Sequence, residues 1–364
     1  MKKLLSLLFV VAALAVTAKE RITLISAYDN NPVPGATVIA SNGLILGISD
    51  DLGRIEINGE KDLPLTIQSL GYESESVPAF TETVTLTPAL YPLGEVEISD
   101  VARPIRKVTC LVREYSTGST STDTLQLYTE YMMTAYFADG KVKGYKKSDG
   151  NLKIRNRKAY ALMKNTSGLD SVFVPDKDDD ITLLSRANMV SSVPNKTISE
   201  PDNIKNGAPI DTIQGEFYPL AVMKKNKNIY TIEVDQLANF KDHKNTPPLS
   251  KLLGVTMDLE IHNRSRAYRS NDEGKYNLDD FIFNTVTTQI LGRGKLIKKF
   301  FRSKEPVRMY SYQELYPVEK KYMTVEEYKA DRSDKSDEPF VYPTGIKPLS
   351  PAITHLINRT KGRL

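Results

Sequence analysis

Residues 124–163 read TLQLYTEYMMTAYFADGKVKGYKKSDGNLKIRNRKAYALM. Three extended runs, 124–138, 142–147 and 152–163, are separated by the dipeptides Asp139-Gly140 and Asp149-Gly150. Asp-Gly between extended runs is typical of a tight β-hairpin turn, because both residues tolerate positive φ. The stretch therefore predicts an antiparallel meander and a mainly β fold.

The segment before this meander has a different spacing. Pro104 stands where the first turn of a helix tolerates proline. Apolar residues follow it at helical intervals: Ile105, Val108, Leu111, Val112 and Tyr115. This spacing predicts a short helix packed against the next sheet.

The chain beyond the meander alternates between polar and extended segments. Residues 164–215 are rich in Asp, Ser, Asn and Pro and predict a long excursion, with a brief helical possibility at 183–190. Further strands are expected at 229–234, 255–261, 281–291 and 295–301. We expect residues 102–322 to form one antiparallel, β-rich (α+β) domain with short helices.

The last part of the chain, residues 323–364, is polar and partly helical. Thr324 and Glu327 have the spacing of a capping box, in which each side chain satisfies a backbone N–H at the start of a helix. Ser350-Pro351 is expected to open a final helix that Gly362 closes.

Residues 20–100 differ from the rest in having short strands separated by frequent turns. Turn signals recur about every 8–12 residues between short alternating runs such as Arg54-Ile55-Glu56-Ile57, a pattern that favours a β-sandwich. Glycine at positions 35, 53 and 71 is expected to supply the positive φ of tight turns. Asp50 and Asp51 can accept hydrogen bonds from the backbone of such a turn.

Four motifs in this region occur in a recognisable order: Pro34-Gly35-Ala36-Thr37-Val38, Gly47-Ile48-Ser49-Asp50-Asp51-Leu52-Gly53-Arg54-Ile55, Leu65-Thr66-Ile67-Gln68-Ser69-Leu70-Gly71-Tyr72 and Leu93-Gly94-Glu95-Val96-Glu97-Ile98. Together they resemble the carboxypeptidase regulatory-like domain. The resemblance implies a transthyretin/prealbumin-like β-sandwich over residues 19–101, of a kind abundant in exported proteins of Bacteroidota-type envelopes.

The resemblance implies a fold but does not imply peptidase activity. Zinc carboxypeptidases take metal ligands from a His-x-x-Glu pair, whereas His243, His262 and His355 are not followed by glutamate at that spacing. No Gly-x-Ser-x-Gly, phosphate-loop or dinucleotide signature is present either. We therefore expect no catalytic residues, no metal ligands and no cofactor.

The first eighteen residues have the three parts of a secretory signal. Lys2 and Lys3 are followed by an apolar run and by the small-residue site Val16-Thr17-Ala18, after which we expect cleavage. About thirteen apolar residues are too few to span a bilayer, and no later stretch qualifies. The expected location is the periplasm, the outer-membrane surface or the exterior.

The net charge and the cysteine content bear on nucleic-acid binding and on disulfide bonding. The formal charge is +4, and removing Lys2 and Lys3 leaves +2, which gives no reason to expect nucleic-acid binding. The single cysteine, Cys110, excludes an internal disulfide and is expected to be a small buried residue.

A cationic surface is the clearest candidate for a binding site. Lys141 and Lys143, and then Lys153, Arg155 and Arg157, lie at period-two positions, so each set is expected to share one face of a hairpin. Such a face could bind an anionic polymer, a lipid headgroup or an acidic partner, or could be a solvated surface balanced by the acids at 176–180. That acidic run lacks the glycine and glutamate of an EF-hand loop.

These observations favour a non-catalytic exported envelope protein with a binding, docking or scaffold role. Its partner would be an envelope protein, a glycan or a lipid. Two alternatives stay open: a hydrolase with a dispersed site in residues 105–322, and an accessory component of an outer-membrane transport system.

Overall fold

The structure is a computed structural model. It describes residues 19–89, 103–138, 141–145, 152–165, 170–173, 197–226, 229–241, 255–277, 280–294, 301, 305–334, 336, 339–343 and 346–361. The predicted signal segment and the acidic run at 176–180 lie outside these residues, as do both Asp-Gly dipeptides and the fourth motif of the resemblance.

The N-terminal part consists of two small sheets that enclose one core. Its strands are β1 (Glu20–Ser26), β2 (Thr37–Ile39), β3 (Ile45–Ile48), β4 (Arg54–Ile57), β5 (Leu65–Gln68), β6 (Glu75–Val77) and β7 (Thr83–Leu86). Their order is β4-β1-β7 in one sheet and β3-β2-β5-β6 in the other. Ile22 and Leu24 from the first sheet pack with Val38, Leu65 and Ile67 from the second, and we call this unit the sandwich.

The rest of the chain is dominated by a single sheet of ten strands. Its members are β8 (Ile105–Ser119), β9 (Asp123–Ala138), β10 (Leu152–Asn165), β11 (Asp170–Phe173), β13 (Ile210–Gln214), β14 (Pro219–Asn226), β15 (Ile229–Asp235), β16 (Val255–Arg269), β18 (Phe283–Gly294) and β19 (Val307–Met323). The order is β11-β10-β9-β8-β19-β18-β16-β15-β14-β13, and neighbouring strands are antiparallel. A separate pair is formed by β12 (Thr197–Ser199) and β17 (Lys275–Asn277).

One face of the large sheet is covered by the sandwich and by the C-terminal residues, and we call it the docking face. It carries a tyrosine row in which Tyr312, Tyr115, Tyr128 and Tyr160 are directly opposite one another on four adjacent strands. Helix α1 (Asp202–Lys205) lies between β12 and β13, whereas α2 (Val325–Ser333) and α3 (Pro351–Lys361) follow β19. Ile353 and Leu356 of α3 pack against the tyrosine row, so the polar tail folds back onto the sheet.

The sandwich is held to the docking face through the turn between β2 and β3. The Tyr115 hydroxyl donates a hydrogen bond to the Gly43 carbonyl, and Gln126 Nε2 donates to the Asn42 carbonyl at 2.5 Å. Apolar residues fill the space around these bonds: Ile39, Ile45, Tyr128 and Tyr312. Because these contacts are buried, they fix the position of the sandwich on the sheet.

The helix predicted over 105–115 is wrong, because these residues form strand β8. The strand lies between β9 and β19, and all of its first eleven residues are buried. In a strand that is covered on both faces, apolar residues are not restricted to alternate positions, so a helical spacing can arise among them by chance. Cys110 is fully buried there, as predicted.

Other expectations about the large domain were corrected in part. Residues 142–145 form a turn, with Gly144 at φ +93°, and β9 pairs directly with β10. The predicted excursion at 164–215 contains β11, β12, α1 and β13. Of the predicted strand at 295–301, Phe301 alone is among the described residues.

Several local predictions are confirmed. Gly35, Gly53 and Gly71 have φ of +70°, +71° and +78°. Asp50 Oδ1 accepts hydrogen bonds from the backbone N–H groups of Leu52 and Arg54. The capping box at Thr324 and Glu327 is complete, and the last helix begins at Pro351.

None of the helices found in the described ranges is both long and apolar enough to cross a bilayer.

The attachment of the sandwich can be tested at Gly43, which has φ +82°. A Cβ there would meet Gln126 Nε2 and would lie 2.9 Å from Tyr115 Oη, so both buried hydrogen bonds would have to shift. Gly71 has a similar φ of +78° but nothing within 4 Å of its Cβ position. We expect Gly71→Ala to lower the free energy of unfolding by about 1 kcal/mol and Gly43→Ala by about 1–3 kcal/mol more. Urea unfolding measures both, and equal losses would contradict the proposed anchoring.

Candidate functional site

The predicted cationic face does not exist as one surface. Lys141 and Lys143 are exposed in the 141–145 turn rather than on a strand. Lys153 donates to the backbone carbonyls of Asp331 and Asp334, and Arg155 Nη2 donates to the Asp334 carbonyl at 3.0 Å. These two side chains therefore hold the end of α2 against β10.

Arg157 is separated from the other two by an irregularity in β10. The register with β9 shifts between Arg155 and Lys158, and Asn156 has φ +50°. Arg157 acts electrostatically on Glu114, which lies on the face opposite the tyrosine row, where burial raises the pKa of the Glu114 carboxyl. The bulge thus breaks the period-two alternation on which the prediction depended.

The described residues considered for hydrolysis, His262, His355 and Cys110, are not brought together as a catalytic relay. His355 is exposed on α3, and His243 lies outside the described residues. Burial and then Arg264 lower the pKa of His262 to about 4, and its Nδ1 lies 3.2 Å from Thr288 Oγ1. Burial raises the pKa of the Cys110 thiol to about 12. Within the part of the chain that the structure describes, no three His, Cys, Asp or Glu residues are grouped as metal ligands.

A cleft of about 370 Å³ separates the sandwich from part of the docking face. Its floor crosses β14, β15, β16, β18 and β19, which is about 19 Å at the usual strand spacing. The floor carries the polar residues Lys224, Thr231, Glu233, Ser265 and Thr285 alongside the apolar residues Val222, Ile229 and Ile232.

The roof of the cleft is supplied by three loops of the sandwich, at 27–35, 69–72 and 88–89. It is largely apolar, with Val33, Leu70 and Tyr72 among its residues. Tyr28 and Ile210, which also line the cleft, are 49% and 40% exposed. A polar floor under an apolar roof suits a ligand that has both kinds of surface.

Lys224 and Glu233 are the charged centre of the floor. Lys224 pairs with Thr231 and Val222 pairs with Glu233, so the two charged residues are diagonal neighbours on the same face. Neither side chain has a hydrogen-bond partner among the described residues, and no carboxylate oxygen there lies within 4.0 Å of Lys224 Nζ. Two partly buried charges of opposite sign therefore share a cleft without a direct ion pair.

The pKa values of the charged groups at the floor are shifted by burial and by one another. Burial lowers the pKa of Lys224, while Glu233, Asp29 and Asp51 oppose that effect. Burial raises the pKa of Glu233, with Lys224 opposing it and Asp51 adding to it. Burial also acts against ionisation of Asp29, but hydrogen bonds from Asn31 hold the pKa of Asp29 below its usual value. Perturbed groups in a cleft are a recognised indication of a functional site.

Sequence reasoning missed both residues. Strand β14 was not predicted, and Glu233 fell inside a predicted strand without being singled out. The period-two pairs Val222/Lys224 and Thr231/Glu233, on either side of residues 227–228, could have indicated a hairpin with charged residues on one face.

A C-terminal segment closes the docking face beside the cleft. Lys347 is 5% exposed, and its Nζ donates to the Ser69 carbonyl of the sandwich at 2.7 Å. Arg113 Nη1 donates to the Lys347 carbonyl at 2.7 Å, and Lys347 Nζ lies 5.0 Å from the centre of the Phe283 ring. Lys347 thus connects the tail, the sandwich and the sheet.

The buried position of Lys347 predicts a dependence of stability on pH. Burial lowers its pKa from 10.5 to about 8, so the unfolded chain binds more protons between these values and stability should rise with pH there. Between pH 7.5 and 10 we expect the free energy of unfolding to rise by roughly 2–3 kcal/mol relative to that of Lys347→Met. Urea unfolding across this range measures the difference, with the exposed Lys205→Met as control. A difference that does not change with pH would contradict the prediction.

Comparisons with known proteins give distant matches. No protein-family model matches the chain, and no curated protein matches it in sequence. A structure titled for lipid–protein interactions in lipovitellin matches with a TM-score of 0.29 and 11% identity, over 60% of this chain and 26% of the lipovitellin chain. An acetoacetate decarboxylase-like enzyme from Sphingomonas wittichii RW1 matches with a TM-score of 0.11 and 9% identity, over 60% of this chain and 94% of that chain. Similarities at this level carry no argument about function.

Proposed function

We propose that this protein is an exported, non-catalytic envelope protein that binds a small ligand in the cleft between its sandwich and its large sheet. The observation that carries the proposal is the pair Lys224 and Glu233, two charged side chains that face the cleft without a direct partner among the described residues. A partly buried charge without a partner costs free energy, and a ligand that supplies the partner recovers it.

The dimensions and position of the cleft support this role. Ligand pockets of about 300–1,000 Å³ are common, and they occur preferentially where two structural units meet. The cleft has a volume of about 370 Å³ and lies between the sandwich and the docking face. Both walls are held in place by the buried hydrogen bonds at Gly43 and Ser69, so the cleft is preformed.

The sequence supports the exported and non-catalytic parts of the proposal. Residues 1–18 have the composition of a secretory signal, and residues 19–101 resemble a carboxypeptidase regulatory-like, transthyretin-like domain. The two sheets that β1–β7 form around one core are compatible with the β-sandwich that this resemblance implies. A docking module beside a ligand site would suit an envelope protein.

Blocking the cleft tests the proposal. Thr231 lies on the floor beside Lys224, and Thr231→Trp should fill the space without changing the two charges. Thr83→Trp is the matched control, since Thr83 is an exposed strand residue of the sandwich. The mature protein is incubated with an envelope extract, and bound small molecules are identified by mass spectrometry.

We expect the wild type and Thr83→Trp to retain the same compounds and Thr231→Trp to lose them. Equal retention by Thr231→Trp would contradict the proposal. Turnover of peptide or ester substrates by the wild type, abolished by a change at His262, would favour the hydrolase alternative instead.

A further inference from the structure

The floor of the cleft presents two opposite charges at a fixed separation. Diagonal neighbours on adjacent strands lie roughly 7–8 Å apart at the backbone, so Lys224 and Glu233 are close enough for one small molecule to contact both. The Lys224 ammonium is a donor, and an ionised Glu233 carboxylate is an acceptor. A ligand that satisfies both must carry an acceptor at one end and a donor at the other.

The charges around Lys224 determine which ligand charge is favoured in the cleft. The charges that act on the Lys224 ammonium group are an excess of carboxylates, namely Glu233, Asp29 and Asp51. A ligand with a single negative charge would gain at Lys224 but would be repelled by this excess. A ligand with a single positive charge would leave Lys224 unpaired. A molecule that carries both charges meets neither penalty.

The roof of the cleft determines the polarity of the part of the ligand that does not contact the floor. Leu70, Tyr72, Pro32 and Pro34 line the roof over the charged floor, and Asp29 and Asn31 line it beside them. The first four side chains offer no charged partner, so the part of the ligand that lies against them should be apolar.

We infer that the ligand of this cleft is a small zwitterion whose ammonium group binds Glu233 and whose anionic group binds Lys224, with an apolar portion against the sandwich loops. This inference rests on the proposed function and names the chemistry of the same site. Two sources share that chemistry: an amino acid or short peptide, whose anion is a carboxylate, and an ethanolamine phosphate headgroup, whose anion is a phosphate.

Titration calorimetry with the whole mature protein tests the inference. The probes are leucyl-leucine, its N-acetyl form without the ammonium group, its amide without the carboxylate, and glycerophosphoethanolamine. We expect at least one zwitterion to bind the wild type about tenfold or more tighter than either capped dipeptide, a factor that corresponds to ~1.4 kcal/mol. Tighter binding of leucyl-leucine supports the inference with a peptide source, and tighter binding of glycerophosphoethanolamine supports it with a headgroup source.

Variants assign each end of the ligand to one residue. Lys224→Met should bind leucyl-leucine and its amide equally, because the partner of the carboxylate is gone. Glu233→Gln should bind leucyl-leucine and its N-acetyl form equally, because the partner of the ammonium group is gone. The controls are Lys205→Met and Glu56→Gln, which remove exposed charges outside the cleft and should leave the preferences of the wild type unchanged.

The inference is overturned if the capped dipeptides bind the wild type as tightly as the zwitterions, or if no zwitterion binds. In either case the proposed function stands when Thr231→Trp still abolishes retention of other compounds from the extract. If Thr231→Trp retains them, the cleft is not the binding site and both ideas fail.

Discussion

A sheet ten strands wide folds in water when its apolar residues are covered, and on the docking face the tyrosine row provides the surface that is covered. Each ring buries a large apolar area, while its hydroxyl needs a hydrogen-bond partner. Tyr128 donates to Glu130 at 2.8 Å, Tyr312 donates to Glu314 at 3.0 Å, and Tyr115 donates to the sandwich at Gly43. The row therefore joins the sheet to the sandwich, and three of its four hydroxyls donate to acceptors inside the protein.

This attachment also produces the cleft. The buried contacts of the sandwich lie over β8, β9 and β19, at Tyr115, Gln126 and Tyr312. Over β14, β15 and β16 the sandwich presents only its loops, and the polar floor beneath them is left open. The position of the cleft is thus a consequence of where the sandwich is anchored, several strands away from Lys224 and Glu233.

The sequence was informative where local chemistry decides the structure and uninformative where the tertiary environment decides it. The turns at Gly35 and Gly53 and the capping box at Thr324 depend on neighbouring residues, and the predictions there are confirmed. Strand β8 is buried by strands far away in the chain, and its spacing was taken for a helix. Arg157 was placed on the wrong face because a bulge leaves no clear sequence signal. The cleft could not be predicted, since it joins residues from both units.

The Pro34-Gly35 turn lies directly over Glu233. At φ +70°, Gly35 approaches the sheet so closely that a Cβ would lie 2.5 Å from Glu233 Oε1. The carboxylate therefore lies beneath the sandwich turn, and Lys224, with no carboxylate within 4.0 Å among the described residues, remains open to the cleft. An ion pair between them would have removed most of the charge that a ligand could recognise. The same glycine that forms the turn thus covers Glu233 at one end of the floor, while Lys224 lines the cleft at the other.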